Sequence, residues 1–242
     1  MSDFEVIIYE KHDNVAYVTL NRPKALNAYN IRMRDELYEV LGVIGDDAEV
    51  KVAILKGSGE KAFCAGADLT EFLTAPAPVF ARKARFDRDI WGRFLGIRKP
   101  FIAALHGYVL GSGIEMSLCC DIRLASHDAQ FGLPEVGLGI IPAAGGSQTL
   151  ARTVGISHAH DLLLSGRWIH ADEAKRIKLV NQVLPRNELL AEAQRLADIM
   201  KKLNPLALSC AKQAVTRGLD LSMDEGLALE RRLANKVQNP KL

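Results

Sequence analysis

Between residues 6 and 126 the chain alternates short β-branched runs with longer amphipathic stretches, and this alternation restricts the fold more than any other feature. Strand candidates lie at residues 6–9, 15–20, 52–55, 101–105 and 122–125. Helical patterns at 31–44, about 79–95 and 113–120 fall between several of them. Strand, helix and strand at this spacing require βαβ-type crossovers, hence an α/β fold. From Gly145 the pattern turns helical through 145–155, 157–166, 171–180, 187–203, 205–217 and 222–237, with one short strand at 180–184. No Ser/Gly linker separates the two parts. The reading is a sheet-bearing core over residues 1–185 followed by a helical C-terminal region over 186–242.

With 242 residues, 48% of them hydrophobic, the chain is long enough to bury a full core as one large domain. Its 31 basic and 29 acidic side chains leave a net charge of +2, which gives no overall reason to expect nucleic acid. The four cysteines lack CxxC spacing, and three sit among apolar or small residues, as buried free thiols do. A reducing, cytoplasmic setting is expected. The opening MSDFEVIIYEKHDNVAYVTL is acidic early and has no long apolar core, so it resembles no targeting peptide, and no run reaches transmembrane length. The closing NPKL is a weak relative of a peroxisomal tripeptide and carries little weight.

Spacing excludes several chemistries. Ser112 has Leu110 and Ile114 where a nucleophile elbow needs glycines. GSGIEM and GLGIIP both lack the last glycine of the dinucleotide fingerprint, and no phosphate-binding lysine follows a glycine in the required pattern. His158 and His160 are two apart on a helix and point away from each other, so they read as surface residues rather than a metal pair. His106, at a strand end, reads as a satisfied core or boundary histidine. No metal site is expected.

Three segments are not explained by packing alone. In KAFCAGADLTEF, the small residues Ala65, Gly66 and Ala67 precede Asp68, so a ligand can approach bare main-chain N–H groups; the plainer reading is a tight turn with Asp68 capping a helix. In GYVLGSGIEMSLCCD, Gly111, Ser112 and Gly113 open a helix with their N–H groups outward and the positive end of the dipole behind them. Glu115 follows one turn later, in an apolar run. A carboxylate there needs either a partner, such as Arg123, or a chemical task. In FGLPEVGLGIIPAAGG, Glu135 follows Pro134, a pairing that helix starts favour for dipole reasons alone.

Together these three segments resemble the signature blocks of the crotonase (enoyl-CoA hydratase/isomerase) superfamily. LNRPKALNAYN resembles its N-terminal CoA-binding block and LSGRWIHADEAKRIKLVNQVL its later helical block, in register from about residue 6 to about 230. The resemblance implies a crotonase-like spiral of ββα units, a helical C-terminal trimerisation region, and an acyl-CoA thioester as substrate. It further implies a homotrimer or a hexamer built as a dimer of trimers, and no cofactor beyond the coenzyme A of the substrate. The main-chain N–H groups of Ala67 and Ser112 correspond to the oxyanion hole, and Glu115 and Glu135 to the two carboxylates that hydratases carry. Substrate contacts are implied for Lys24, Ala25, Leu26, Ala65, Gly66, Asp68, Leu69 and Gly111.

In the chemistry so implied, Glu115 activates the water and Glu135 supplies the Cα proton, while the two N–H groups stabilise the enolate oxygen. The expected reaction is reversible hydration of a 2-enoyl-CoA to the 3-hydroxyacyl-CoA. The alternatives are an enoyl-CoA double-bond isomerase with one working glutamate, or a non-catalytic CoA- or RNA-binding relative using the basic stretch ARKARFDRDIWGRFLGIRKP. Asp87 and Asp89 interrupt that stretch, which favours a solvated helix face. The sequence departs from the hydratase pattern in two places. Ser112 stands where glycine is usual, and the chain stops at LANKVQNPKL, short of the usual basic and aromatic tail.

Overall fold

The computed structural model describes residues 4–73 and 88–239. The strands form two sheets. The larger contains β1 (Ile7–His12), β2 (Val15–Leu20), β3 (Val52–Gly57), β5 (Phe101–Leu105), β7 (Ile122–Ser126) and β10 (Gln182–Leu184), in the order β1-β2-β3-β5-β7-β10. The smaller contains β4 (Ala62–Cys64), β6 (Tyr108–Leu110), β8 (Gln130–Gly132) and β9 (Ile169–His170), in the order β4-β6-β8-β9. Apart from the β1–β2 hairpin and the β8–β9 pair, every ladder is parallel. From β3 to β8 each turn of the chain therefore lays one strand in the large sheet and the next in the small sheet before it returns, which is the ββα spiral the sequence resemblance implied.

Side-chain alternation explains the layers. On β3, Ala53 and Leu55 face a core shared with α1 (Ile31–Asp46), whereas Val52 and Ile54 face the opposite side. That opposite side is covered by α8 (Leu189–Met200), through Leu189, Ala193 and Ala197. α1 starts where Asn30 accepts from the Met33 N–H at 2.9 Å, a cap worth about 1 kcal/mol. The remaining helices among the described residues are α2 (Leu69–Leu73), α3 (Ile90–Gly96), α4 (Ser112–Leu118), α5 (Gly146–Val154), α6 (Ile156–Ser165), α7 (Ala171–Arg176), α9 (Pro205–Gly218) and α10 (Met223–Gln238).

The six strands of the large sheet and most helices match the sequence reading to within a few residues. The small sheet was not anticipated at all: its strands are two or three residues long, too short for period-two patterning to register. The apolar stripe of α8 packs on the large sheet, where Leu189, Ala193 and Ala197 are buried. Exposed apolar side chains lie further on, at Val215 and Leu219 of the α9 end, Leu221 in the connection, and Met223 and Leu227 of α10. Residues 79–87 of the expected helix at 79–95, and with them the start of the basic stretch, lie outside the described residues, which show its end as α3. His158 and His160 flank buried Ala159 on α6. All four cysteines are buried and free. Among the described residues, no helix is long and apolar enough to cross a membrane, and no group of three or more His, Cys, Asp or Glu could hold a metal.

Candidate active site

The site is assembled where three successive turns of the spiral meet. The loop after β2 folds through a 3₁₀ turn, Pro23–Ala25, and runs beside the chain leaving β4. Ala65 donates to the Leu26 carbonyl at 3.0 Å, Tyr29 to that of Gly66 at 2.8 Å, and Asp68 to that of Tyr29 at 2.8 Å. These bonds pair Tyr29 with Ala67 in an isolated parallel bridge. Fully buried Asn27 locks the loop by donating to the carbonyls of Ser58 (2.9 Å) and Ala62 (2.8 Å) while accepting from the Arg22 N–H. Asp68 accepts from Arg22 at 2.9 Å and from the Thr70 N–H and hydroxyl, so its carboxylate is occupied in holding the turn and the start of α2. Lys24, Ala25 and Leu26 line or adjoin a cleft of about 350 Å³ that Ser58, Glu60 and Lys61 close from the other side. Leu69, half exposed, opens α2.

The second turn brings β6 into α4. Gly111 caps that helix with φ 48° and ψ −118°, a backbone state open to glycine and closed to most L-residues. Gly113 lets the helix start press against β4, since a Cβ there would stand 2.3 Å from the Cys64 carbonyl oxygen. No side chain caps the helix. Among the described residues, neither the Ser112 nor the Ala67 N–H has a main-chain acceptor. The helix dipole adds its positive end at Ser112.

The third turn supplies Glu135, in a 3₁₀ turn spanning Pro134–Leu138. Its Oε1 lies 3.0 Å from where a Cβ on Gly111 would be, and Gly66 Cα lies 3.5 Å from the same point, so Gly66, Gly111 and Glu135 converge. Its Oε2 is buried and has no hydrogen-bond partner among the described residues. Burial pushes the Glu135 carboxyl up to about 6, with the charge of Glu115 adding to the effect.

Glu115 is 3% exposed, and its Oε1 accepts from the N–H groups of Ala144 (2.9 Å) and Gly146 (3.0 Å) at the start of α5. A Cβ on Gly146 would stand 2.8 Å from that oxygen, so the close approach needs glycine. Arg123, the ion-pair partner suggested by sequence, instead donates to the carbonyls of Leu179 and Cys120, both at 2.7 Å.

The structure thus brings together Ala65, Gly66, Ala67, Gly111, Ser112, Glu115 and Glu135, with Lys24, Ala25 and Leu26 on the adjoining loop. Sequence reasoning missed Asn27, Arg22, Ala144 and Gly146, although an asparagine inside an apolar stretch and the small-residue run AAGG were visible signals. His106 corrects one expectation: it is buried, but its Nε2 has no partner. Burial and nearby Arg186 hold its pKa down to about 4, so it is neutral at pH 7.

The family model described as "Enoyl-CoA hydratase/isomerase" matches residues 10–241. The chain belongs to the enoyl-CoA hydratase/isomerase family. It is 44% identical over 224 residues to a short-chain-enoyl-CoA hydratase of Clostridium acetobutylicum, covering 93% of this chain and 86% of that relative. A crotonyl-CoA hydratase of Syntrophomonas wolfei is 39% identical over 227 residues, covering 94% of this chain and 87% of its own. The crystal structure of an enoyl-CoA hydratase from Bacillus anthracis superposes with a TM-score of 0.93 at 36% identity, covering 98% of this chain and 92% of that one. The Bacillus anthracis enzyme thus shares the fold on which the site is built.

Proposed function

We propose that the chain reversibly hydrates a 2-enoyl-CoA to the 3-hydroxyacyl-CoA. The observation that carries this reading is the pair of carboxylates beside two main-chain N–H groups: buried Glu115 held by Ala144 and Gly146, and half-buried Glu135 with one buried oxygen that no described residue satisfies. The names of the two relatives support a short acyl chain as the first substrate to test.

In this reading the thioester oxygen lies between the N–H groups of Ala67 and Ser112. Glu115, oriented by its two N–H donors, takes a proton from water as the oxygen attacks Cβ. The Cα=Cβ electrons move toward the carbonyl, and the enolate charge rests on the two donors. Glu135, kept protonatable near neutral pH, delivers a proton to Cα. The chemistry calls for no cofactor beyond the coenzyme A of the substrate, and for neither nucleic acid nor membrane. Four free buried thiols support a cytoplasmic setting.

Mixing the protein with short, long, branched and aromatic enoyl-CoAs tests the reading. Loss of the conjugated-thioester absorbance with formation of the 3-hydroxyacyl-CoA is expected. A shifted double bond with no hydroxyl product would make the protein an isomerase.

The pH profile tests the role of Glu135. Hydration starts with Glu135 protonated and Glu115 ionised and ends with the proton on Glu115, so both directions draw on the same singly protonated pair and kcat/KM should fall in both as pH rises through about 6. Hydration whose kcat/KM stays flat from pH 5 to pH 8 would remove Glu135 as the proton donor.

The reading includes a homotrimer, or a hexamer of two trimers. Its support is the run of exposed large apolar side chains Val215, Leu219, Met223 and Leu227 about the α9–α10 connection. Light scattering should give a mass three or six times that of the chain at micromolar concentration; a stable monomer would refute this part.

A further inference from the structure

The segment between β3 and β4, Ser58–Glu60–Lys61 and its neighbours, forms one wall of the cleft that faces Pro23, Lys24 and Leu26. It contains Gly59 at φ +72°, so the wall has little stiffness of its own. Its carbonyls are instead held from outside, one after another. Asn27 donates to Ser58 and Ala62 from the cleft side, and the Tyr108 N–H takes Lys61 at 3.0 Å. The two remaining carbonyls, Gly59 at 3.4 Å and Glu60 at 2.8 Å, are both gripped by one guanidinium nitrogen of Arg186. Its other terminal nitrogen pairs with Asp128, at the turn before β8, at 2.7 Å.

Arg186 comes from the start of the helical C-terminal region, after β10, and is 126 residues from the carbonyl it holds. It touches none of Ala67, Ser112, Glu115 or Glu135 through any of these bonds. Its effect is on the 58–61 wall of the cleft, which carries Glu60 and Lys61 and faces Lys24 across it.

We propose that Arg186 is a positioning residue for the phosphate-bearing end of the acyl-CoA, fixing the 58–61 wall so that the cleft is preformed when the substrate arrives. The proposal rests on the reading of the protein as an acyl-CoA enzyme. A preformed wall lowers the ordering cost of binding the coenzyme without touching the reacting thioester. The signature is therefore a split: binding of the full coenzyme changes, and chemistry at the acyl end does not.

The experiment compares wild type with Arg186→Met and Arg186→Lys, using crotonyl-CoA, the crotonyl thioester of N-acetylcysteamine, which lacks the phosphates and nucleotide, and calorimetry with free coenzyme A. For Arg186→Met, KM for crotonyl-CoA and Kd for coenzyme A should rise about tenfold, the equivalent of one charge-assisted hydrogen-bond interaction. kcat should stay within about twofold, the usual scale for a uniform-binding change. The truncated thioester should show no change. Arg186→Lys keeps the charge but loses the grip on two carbonyls, and should fall between the two.

A fall in kcat, or an equal rise in KM for both thioesters, would reduce Arg186 to general structural support. A lysine variant equal to wild type would make charge rather than the carbonyl grip the operative feature and overturn the proposal. Wild-type protein that binds coenzyme A but hydrates nothing, with binding still weakened in Arg186→Met, would sink the hydratase reading and leave this one standing. Failure of wild type to bind coenzyme A would sink both.

Discussion

Glutamine at position 135 lowers kcat for hydration by about 10²- to 10⁴-fold, the range that general acid–base groups supply. The substitution keeps the size and shape of the side chain in the pocket beside Gly66 and Gly111, but leaves no proton to transfer at working pH. Glu115→Gln should fall by a similar factor for a different reason. Its amide oxygen can still accept from Ala144 and Gly146, so the geometry persists while the basicity is lost. Because both groups act on one addition, the double variant should be little worse than the poorer single variant. Stability separates the two. Glu135 has its pKa raised from 4.5 to about 6 in the folded chain, so its contribution to stability is present below about 4.5 and is lost as pH rises through about 6. Glu135→Gln should therefore leave Tm unchanged at pH 4 and raise it at pH 8. Near-normal hydration by a folded Glu135→Gln enzyme would remove that residue from the mechanism.

Proline at position 112 is the second large effect. It deletes the N–H at the start of α4, and loss of one oxyanion donor in comparable sites costs about 2.7–4 kcal/mol, or 10²- to 10³-fold in kcat. Ser112 is the first residue of α4, the helical position that tolerates proline best, so the fold should survive. Circular dichroism checks this, because the unusual backbone of Gly111 precedes the new ring. Ser112→Ala and Ser112→Gly keep the N–H and should retain most activity. A folded alanine variant that loses tenfold or more would instead mean that the hydroxyl, absent in the usual glycine, bonds substrate or water.

What the sequence disclosed follows from the range of the interactions involved. The long strands of the large sheet carry their own periodicity, and α1 carries its own cap, so both were legible. β4, β6, β8 and β9 have no such local pattern: β4, β6 and β8, three residues each, exist because parallel neighbours one spiral turn away complete them, and two-residue β9 because it pairs antiparallel with β8. Glu115 and Glu135 were found as chemical types out of place, one carboxylate in an apolar run and one after a proline. Their environments were not readable. The donors to Glu115 come from residues 29 and 31 positions away, and the unsatisfied oxygen of Glu135 is a property of three converging segments. The apolar spacing of α8 marks a face needing cover, but nothing local reveals that the cover is the back of the chain's own sheet.

Asn27 gives the molecule a chemical ageing point. Its amide nitrogen donates to two carbonyls at once, those of Ser58 and Ala62, and so joins the loop bearing Lys24 and Tyr29 to the strand leading to Ala67. Hydrolysis of that amide to a carboxylate replaces a single NH₂ by O⁻, and both attractions become repulsions between oxygens in a fully buried setting. The usual route to this damage is attack by the following main-chain nitrogen. Here the Ala28 N–H is engaged with the Ala25 carbonyl at 2.9 Å, and the side chain is clamped. The folded state thus shields its own most consequential asparagine, and each excursion to a loosened loop exposes it to a lesion that refolding does not reverse.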